Sequence, residues 1–150
     1  MKRVLTIIAA LVLVVACVGC SAAHTYMSWT FKVETGDNVK VKLDTTDGYK
    51  ITSDLPFIIS KDGETLSQGT FIKGDFYEQY YEAAKTTDGA KLLEEGEVNG
   101  HKYFAWSVND EEWDYAILLK GGKTGILIGN DVSQASAQEV FNRLTITVEK

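Results

Sequence analysis

Cys17 and Cys20 are the only thiols in a chain of 150 residues, and they stand in C-x-x-C spacing. That spacing suits a dithiol redox pair, a disulfide or half of a thiolate zinc shell. Each needs a fold around the sulfurs to lower a thiol pKa or to supply the missing ligands. His24 follows the pair in a short polar stretch, and His101 stands just after Asn99-Gly100, where an exposed position is expected. Neither histidine has metal-ligand spacing such as H-E-x-x-H. "KGGKTG", residues 120–125, ends like a phosphate-binding loop, but Ile117 occupies the place of that loop's first glycine. "ILIG" then reads as strand, not as the helix whose N–H groups would face phosphate. Asp44 and Asp47 fall at a turn, and so does the run Asp110, Glu111, Glu112 with Asp114. The run lacks EF-hand order and its central glycine, so it reads as a solvated acidic turn. There is no G-x-S-x-G elbow. The pattern assigns no catalytic residue, no metal ligand and no cofactor.

Aromatic side chains offer binding chemistry instead. Tyr77, Tyr80 and Tyr81 crowd one segment, and Tyr103, Trp106, Trp113 and Tyr115 follow. Most serve a core, since Tyr and Trp bury a ring while keeping a polar tip wet. A surplus on one surface would suit a protein or a sugar. Tyr77 and Tyr81, spaced i and i+4, are the first binding candidates, and Trp113 is the third.

The cysteines are explained by what precedes them. Met1-Lys2-Arg3 is a basic tip, and the thirteen residues "VLTIIAALVLVVA" contain one polar side chain, Thr6. The run has the length of an export signal's apolar region, and a bilayer span takes about 20 residues. Small residues follow it. The layout resembles the bacterial lipoprotein signal, with an aliphatic residue three before a cysteine and a small residue just before it. Cys17 has Val14 and Ala16 in those places; Cys20 has Gly19 before it and Ser21 after it. Both remain candidates for lipidation. The resemblance implies a cleaved leader over residues 1–20, a tether over 21–28 and an extracytoplasmic domain over 29–150, lipid-anchored to a bacterial cell membrane.

Formal charge is −6, and loss of Lys2 and Arg3 with a leader takes it to −8. That balance argues against nucleic acid, since phosphate binding needs a basic surface. It also argues against docking of the domain itself on anionic lipid headgroups. The remaining length fits one domain with no need of a disulfide. Oligomeric state is not written in these patterns.

With one proline, the chain turns at Asx-Gly pairs: Asp47-Gly48, Asp62-Gly63, Asp88-Gly89 and Asn99-Gly100, with Gly121-Gly122 besides. Alternation on both sides of Gly36-Asp37-Asn38 predicts a hairpin with Trp29, Phe31 and Val33 on one face and Val39, Val41 and Leu43 on the other arm's matching face. Tyr77, Tyr80, Tyr81 and Ala84 keep helical spacing after an Asp75/Glu78 capping box. Four strands follow as a meander. Ser136 and Glu139 suggest a second capping box, before a short helix with a stripe of Ala137, Val140, Phe141 and Leu144. A strand, "LTITVE", closes the chain. Helices on an antiparallel sheet make an α+β domain.

Three stretches, "FYEQYYEAAK", "GHKYFAWSVNDEEWDYAILLKGGKTGILIG" and "SAQEVFNRLTITVE", give this order a resemblance to the Mog1/PsbP-like architecture and to small bacterial lipoproteins with the same ending. Proteins of that architecture include photosystem accessory subunits and a regulator of a nuclear transport GTPase. The resemblance implies a protein-interacting accessory module in place of an enzyme. A small-ligand or glycan binder with an aromatic cleft is the alternative. Mass spectrometry of the native product is expected to find an acylated cysteine at position 17 or 20 as its first residue; an unacylated chain beginning at Met1 would overturn the leader assignment.

Overall fold

The computed structural model describes residues 23–149, so Cys17 and Cys20 lie outside the described residues. Ten strands and two helices are present among them: β1 (Tyr26–Lys32), β2 (Asn38–Asp44), β3 (Tyr49–Ile51), β4 (Phe57–Lys61), β5 (Glu64–Lys73), α1 (Asp75–Thr86), β6 (Ala90–Val98), β7 (His101–Val108), β8 (Glu112–Leu118), β9 (Thr124–Asn130), α2 (Gln134–Arg143) and β10 (Leu144–Glu149). The fold is α+β and its strand pairs are antiparallel. β1 begins at Tyr26, inside the stretch expected as tether, because Tyr26 to Ser28 already pair with Asp44 to Lys42. The folded part therefore starts earlier than residue 29.

The strands form two sheets, a small one in the order β1-β2-β10 and a large one in the order β3-β4-β5-β9-β8-β7-β6. The meander β6–β9 is joined to β3–β5 by β5 pairing with β9, from Ser67↔Asn130 to Lys73↔Thr124. One face of the large sheet carries Phe57, Ile59, Tyr115, Ile117, Ile126 and Ile128 into a core shared with the small sheet's Val39, Val41 and Leu43 and with Ala137 and Val140 of α2. We call this the inner face. The outer face carries Phe104, Trp106 and Ala116, which pack against Tyr77 and Ala84 of α1. The layers are thus α1, the large sheet, and a third layer of small sheet and α2 side by side. Alternation within each strand supplies both faces.

Neither helix starts on its anticipated capping box. α1 begins after Gly74, where a Cβ would overlap the Gly122 carbonyl, and Gly74 N–H donates to Lys123 O at 2.8 Å. Close approach to the β8–β9 turn fixes that start and selects glycine. In α2 the N-cap is Ser133, whose Oγ accepts from Ser136 N–H at 3.0 Å. Ser136 is the recipient of the cap, three residues downstream of the residue that provides it.

His101 is buried, contrary to its expected exposure. Its Nδ1 accepts from Lys120 N–H at 2.9 Å, and its Nε2–H donates to Ile146 O at 2.9 Å. One backbone donor and one backbone acceptor together require the neutral Nε2–H tautomer. The ring joins the start of β7, the end of the β8 arm and the outward edge of β10, so a carbonyl on an edge strand is satisfied internally. His101→Phe keeps the bulk and strands both backbone groups. It is expected to lower unfolding free energy by about 2–4 kcal/mol in urea titration; an unchanged midpoint would deny the ring this joining role.

Candidate functional site

A cleft of about 450 Å³ opens on the outer face of the large sheet, lined by Gln68, Tyr80, Trp106, Asp114, Leu127 and Gly129 among others. Register explains its floor. Gln68 pairs with Gly129, Gly129 with Asp114, and Asp114 with Trp106, so one transverse row crosses β5, β9, β8 and β7. Directly paired residues share a face. α1 covers this face through Tyr77, Tyr81 and Ala84, which pack with Phe104 and Trp106. The exposed Gln68 and Thr70 of β5 line the part beside it that remains open. Tyr80, on the helix flank, stands with its ring centre 6.1 Å from that of Trp106. Together they make the cleft's aromatic wall.

Gly129 makes the notch. A Cβ there would lie 3.0 Å from Asp114 Oδ1 and 3.9 Å from Glu112 Oε1. Two carboxylates therefore converge over a position with no side chain, and Asp131 adds a third at the rim. Asp114 is half-buried, and no hydrogen-bond donor reaches its carboxylate among the described residues. Burial, and then the neighbouring Glu112, push it up from an ordinary 3.8 to about 7. Such a carboxyl donates a hydrogen bond when protonated and accepts when ionised, near neutral pH. Glu112 and Asp114 belong to β8 and not to the acidic turn in which the sequence pattern placed them. Asp110, which does lie in the turn, pairs with Lys91 at 2.9 Å.

The three aromatic residues singled out from the sequence are not brought together. Tyr77 is buried edge-on against Phe104, with ring centres 5.1 Å apart. Tyr81 packs on the same Phe104 and donates from its hydroxyl to Glu95 Oε2 at 2.6 Å. Trp113 is on the opposite, inner face, beside the start of α2. Tyr80 and Trp106 are the pair that meets an open cavity. Spacing along the helix could not distinguish Tyr80 from its neighbours, because the difference lies in which flank the sheet covers. Gly129 inside "GILIGN" was the one available hint, since a strand glycine often marks a close approach.

Other chemistry-bearing groups are held in contacts of their own. Thr124 of "KGGKTG" is buried and donates to Asp37 Oδ2 at 2.7 Å, which ties two hairpin ends together. Arg143 meets Asp47 and Glu139 at 3.0 and 3.3 Å and lies 4.0 Å from the Tyr49 ring centre. No group of three or more His, Cys, Asp or Glu side chains is arranged to hold a metal ion among the described residues.

Asp114 gives the site a stability signature. Between pH 3.8 and about 7 the native chain retains a proton that the unfolded chain releases. Stability conferred by that proton is therefore lost as pH rises through the interval and levels off above it. Asp114→Asn is expected to flatten this slope and to raise the urea midpoint at pH 8 relative to the parent chain. An identical pH profile in the variant would show that Asp114 is not held away from its ordinary titration.

Comparison of the chain with protein-family models, with curated protein sequences and with solved structures gave no match.

Proposed function

We propose that this chain is a lipid-anchored extracytoplasmic binding module that takes a small polyhydroxylated ligand, a sugar or short glycan, into the cleft beside α1. The observation that carries the reading is the concave shape itself: the adjoining Tyr80 and Trp106 rings and the Glu112 and Asp114 carboxyl groups line one cavity of about 450 Å³. A sugar offers C–H faces to rings and hydroxyls to carboxylates, and pockets of a few hundred Å³ suit small ligands. Protein docking, the first expectation from the resemblance, draws less support. It calls for a contiguous apolar patch; Met27 and Trp29 are exposed side by side on β1, but Leu55, Phe76, Leu93 and Val132 stand on other segments. Binding is proposed, and no catalytic step.

The Mog1/PsbP-like arrangement is part of the same proposal. It is supported by the order of the hairpin β1–β2, a helix after β5, the meander β6–β9 and a late helix beside the closing strand. Fold alone would not carry a function across, so the ligand reading stands on the cleft.

Titration with glucose, N-acetylglucosamine, cellobiose and chitobiose tests it, with tryptophan fluorescence as the readout because Trp106 lines the cleft. A saturable change is expected for at least one of the four. Tyr80→Ala should weaken that binding about tenfold or more, as loss of an aromatic anchor does, with little change in melting temperature. Absence of saturation with all four would remove the glycan reading.

A further inference from the structure

We propose that the outer face of β1–β2–β10 rests on the anionic headgroups of the bilayer that holds the anchor. The inference depends on the lipidated-cysteine reading above. Tyr26 is six residues from Cys20 and nine from Cys17. Fully extended, that leash reaches about 20–30 Å. A domain of this length has a radius of gyration of about 14 Å and a width of about 35 Å. The leash is shorter than the domain is wide, so the Tyr26 end of β1 stays near the lipid, and the chemistry of the faces beside it decides which one rests there.

The chemistry of that side fits what it would meet. Ser28, Lys42 and Thr145 form one cross-strand row, and Thr30, Lys40 and Thr147 form the next. Both rows lie opposite the buried Val39, Val41 and Leu43, and Lys32 belongs to the same face by alternation. Tyr26, 55% exposed, stands at the end of β1 nearest the tether. The Lys42 ammonium lies 4.0 Å from its ring centre. A phenol ring with an ammonium beside it suits headgroup depth, where apolar and charged surroundings meet. The face sets three lysines against two carboxylates: Asp44 lies 2.8 Å from His24 Nδ1, and Glu149 accepts from Thr30 Oγ1 at 3.2 Å and lies 3.9 Å from Lys40 Nζ. The domain's negative excess thus lies elsewhere, and the whole-domain average hides a lysine-bearing face. About 1 kcal/mol per lysine is small for a free protein but sufficient for one already tethered. Because the small sheet and the cleft lie on opposite sides of the large sheet, this seating turns the cleft away from the bilayer.

The full-length chain, processed in a lipoprotein-competent bacterial host and reconstituted in vesicles, provides the test. Thr147→Cys probes the resting face and Glu78→Cys probes exposed α1. A membrane-impermeant maleimide labels each, read from the peptide that carries it. On vesicles of phosphatidylcholine with phosphatidylglycerol, Thr147→Cys is expected to label at least about fivefold more slowly than in detergent, the effect of a single interfacial lysine. Glu78→Cys should label at the same rate in both. Pure phosphatidylcholine should relieve the protection, and so should combined Lys32→Glu, Lys40→Glu and Lys42→Glu, with the protein still floating with its vesicles. Flotation without protection at position 147 would overturn the resting face and leave the anchor standing. Absence of flotation together with an unacylated mass would overturn the anchor, and the resting face with it.

Discussion

Burial of the inner face of β2 is the constraint on which the rest of the structure depends. Val39, Val41 and Leu43 are each fully buried, and side chains of this kind contribute about 1.5–3 kcal/mol apiece when removed from water. A three-stranded sheet has too little surface to stand alone in water. It must lie on the large sheet, and that requirement sets much else. Phe31 reaches from β1 to Phe57 and Phe71, with ring centres 5.7 and 5.4 Å away. Gly69 is glycine because the Phe57 ring occupies the space a Cβ would take. α2 fills the inner face where the small sheet ends, stacking Phe141 on Tyr115 with ring centres 4.2 Å apart.

The cleft is a by-product of how the other face is covered. A twelve-residue helix lies on a seven-stranded sheet, so α1 buries Tyr77 and Ala84, half-buries Tyr81 and leaves polar β5 positions uncovered. Gln68 and Thr70 incur no penalty in water. The opening is deepened because Gly129 has no side chain, and its aromatic wall comes from Tyr80, on the helix flank beside the buried stripe. A half-buried carboxylate without a donor is a local cost that native packing elsewhere must offset.

Much of the fold was legible because its signals are local. Alternation marked the hairpin arms, and Asx-Gly pairs marked turns whose residues do adopt left-handed backbone, as at Asn99 and Gly100. The split into two sheets was not legible, since it rests on β5 finding β9 and β10 finding β2 across long stretches of chain. His101 was misplaced for the same reason: its partners are Lys120 and Ile146, distant in sequence. The capping boxes failed because a neighbouring turn fixed one helix start and Ser133 the other. At the site, the type of residue was legible but not the side it faces. Tyr77, Tyr80 and Tyr81 look alike in a string, and the sheet buries Tyr77 and half-buries Tyr81 against Phe104. Asp114 and Gly129 become neighbours only once the register of β8 and β9 is fixed.

The pairing of β10 with β2 has a consequence for how the protein is made. Residues 144–149 occupy one flank of β2, opposite β1. A nascent chain lacks that strand until long after β2 itself has been made, because every other strand and both α-helices lie before it in sequence. Until then Val41 and Leu43 have no neighbour on that side, and Ile146 cannot cover them. The small sheet therefore closes only after β10 has joined β2.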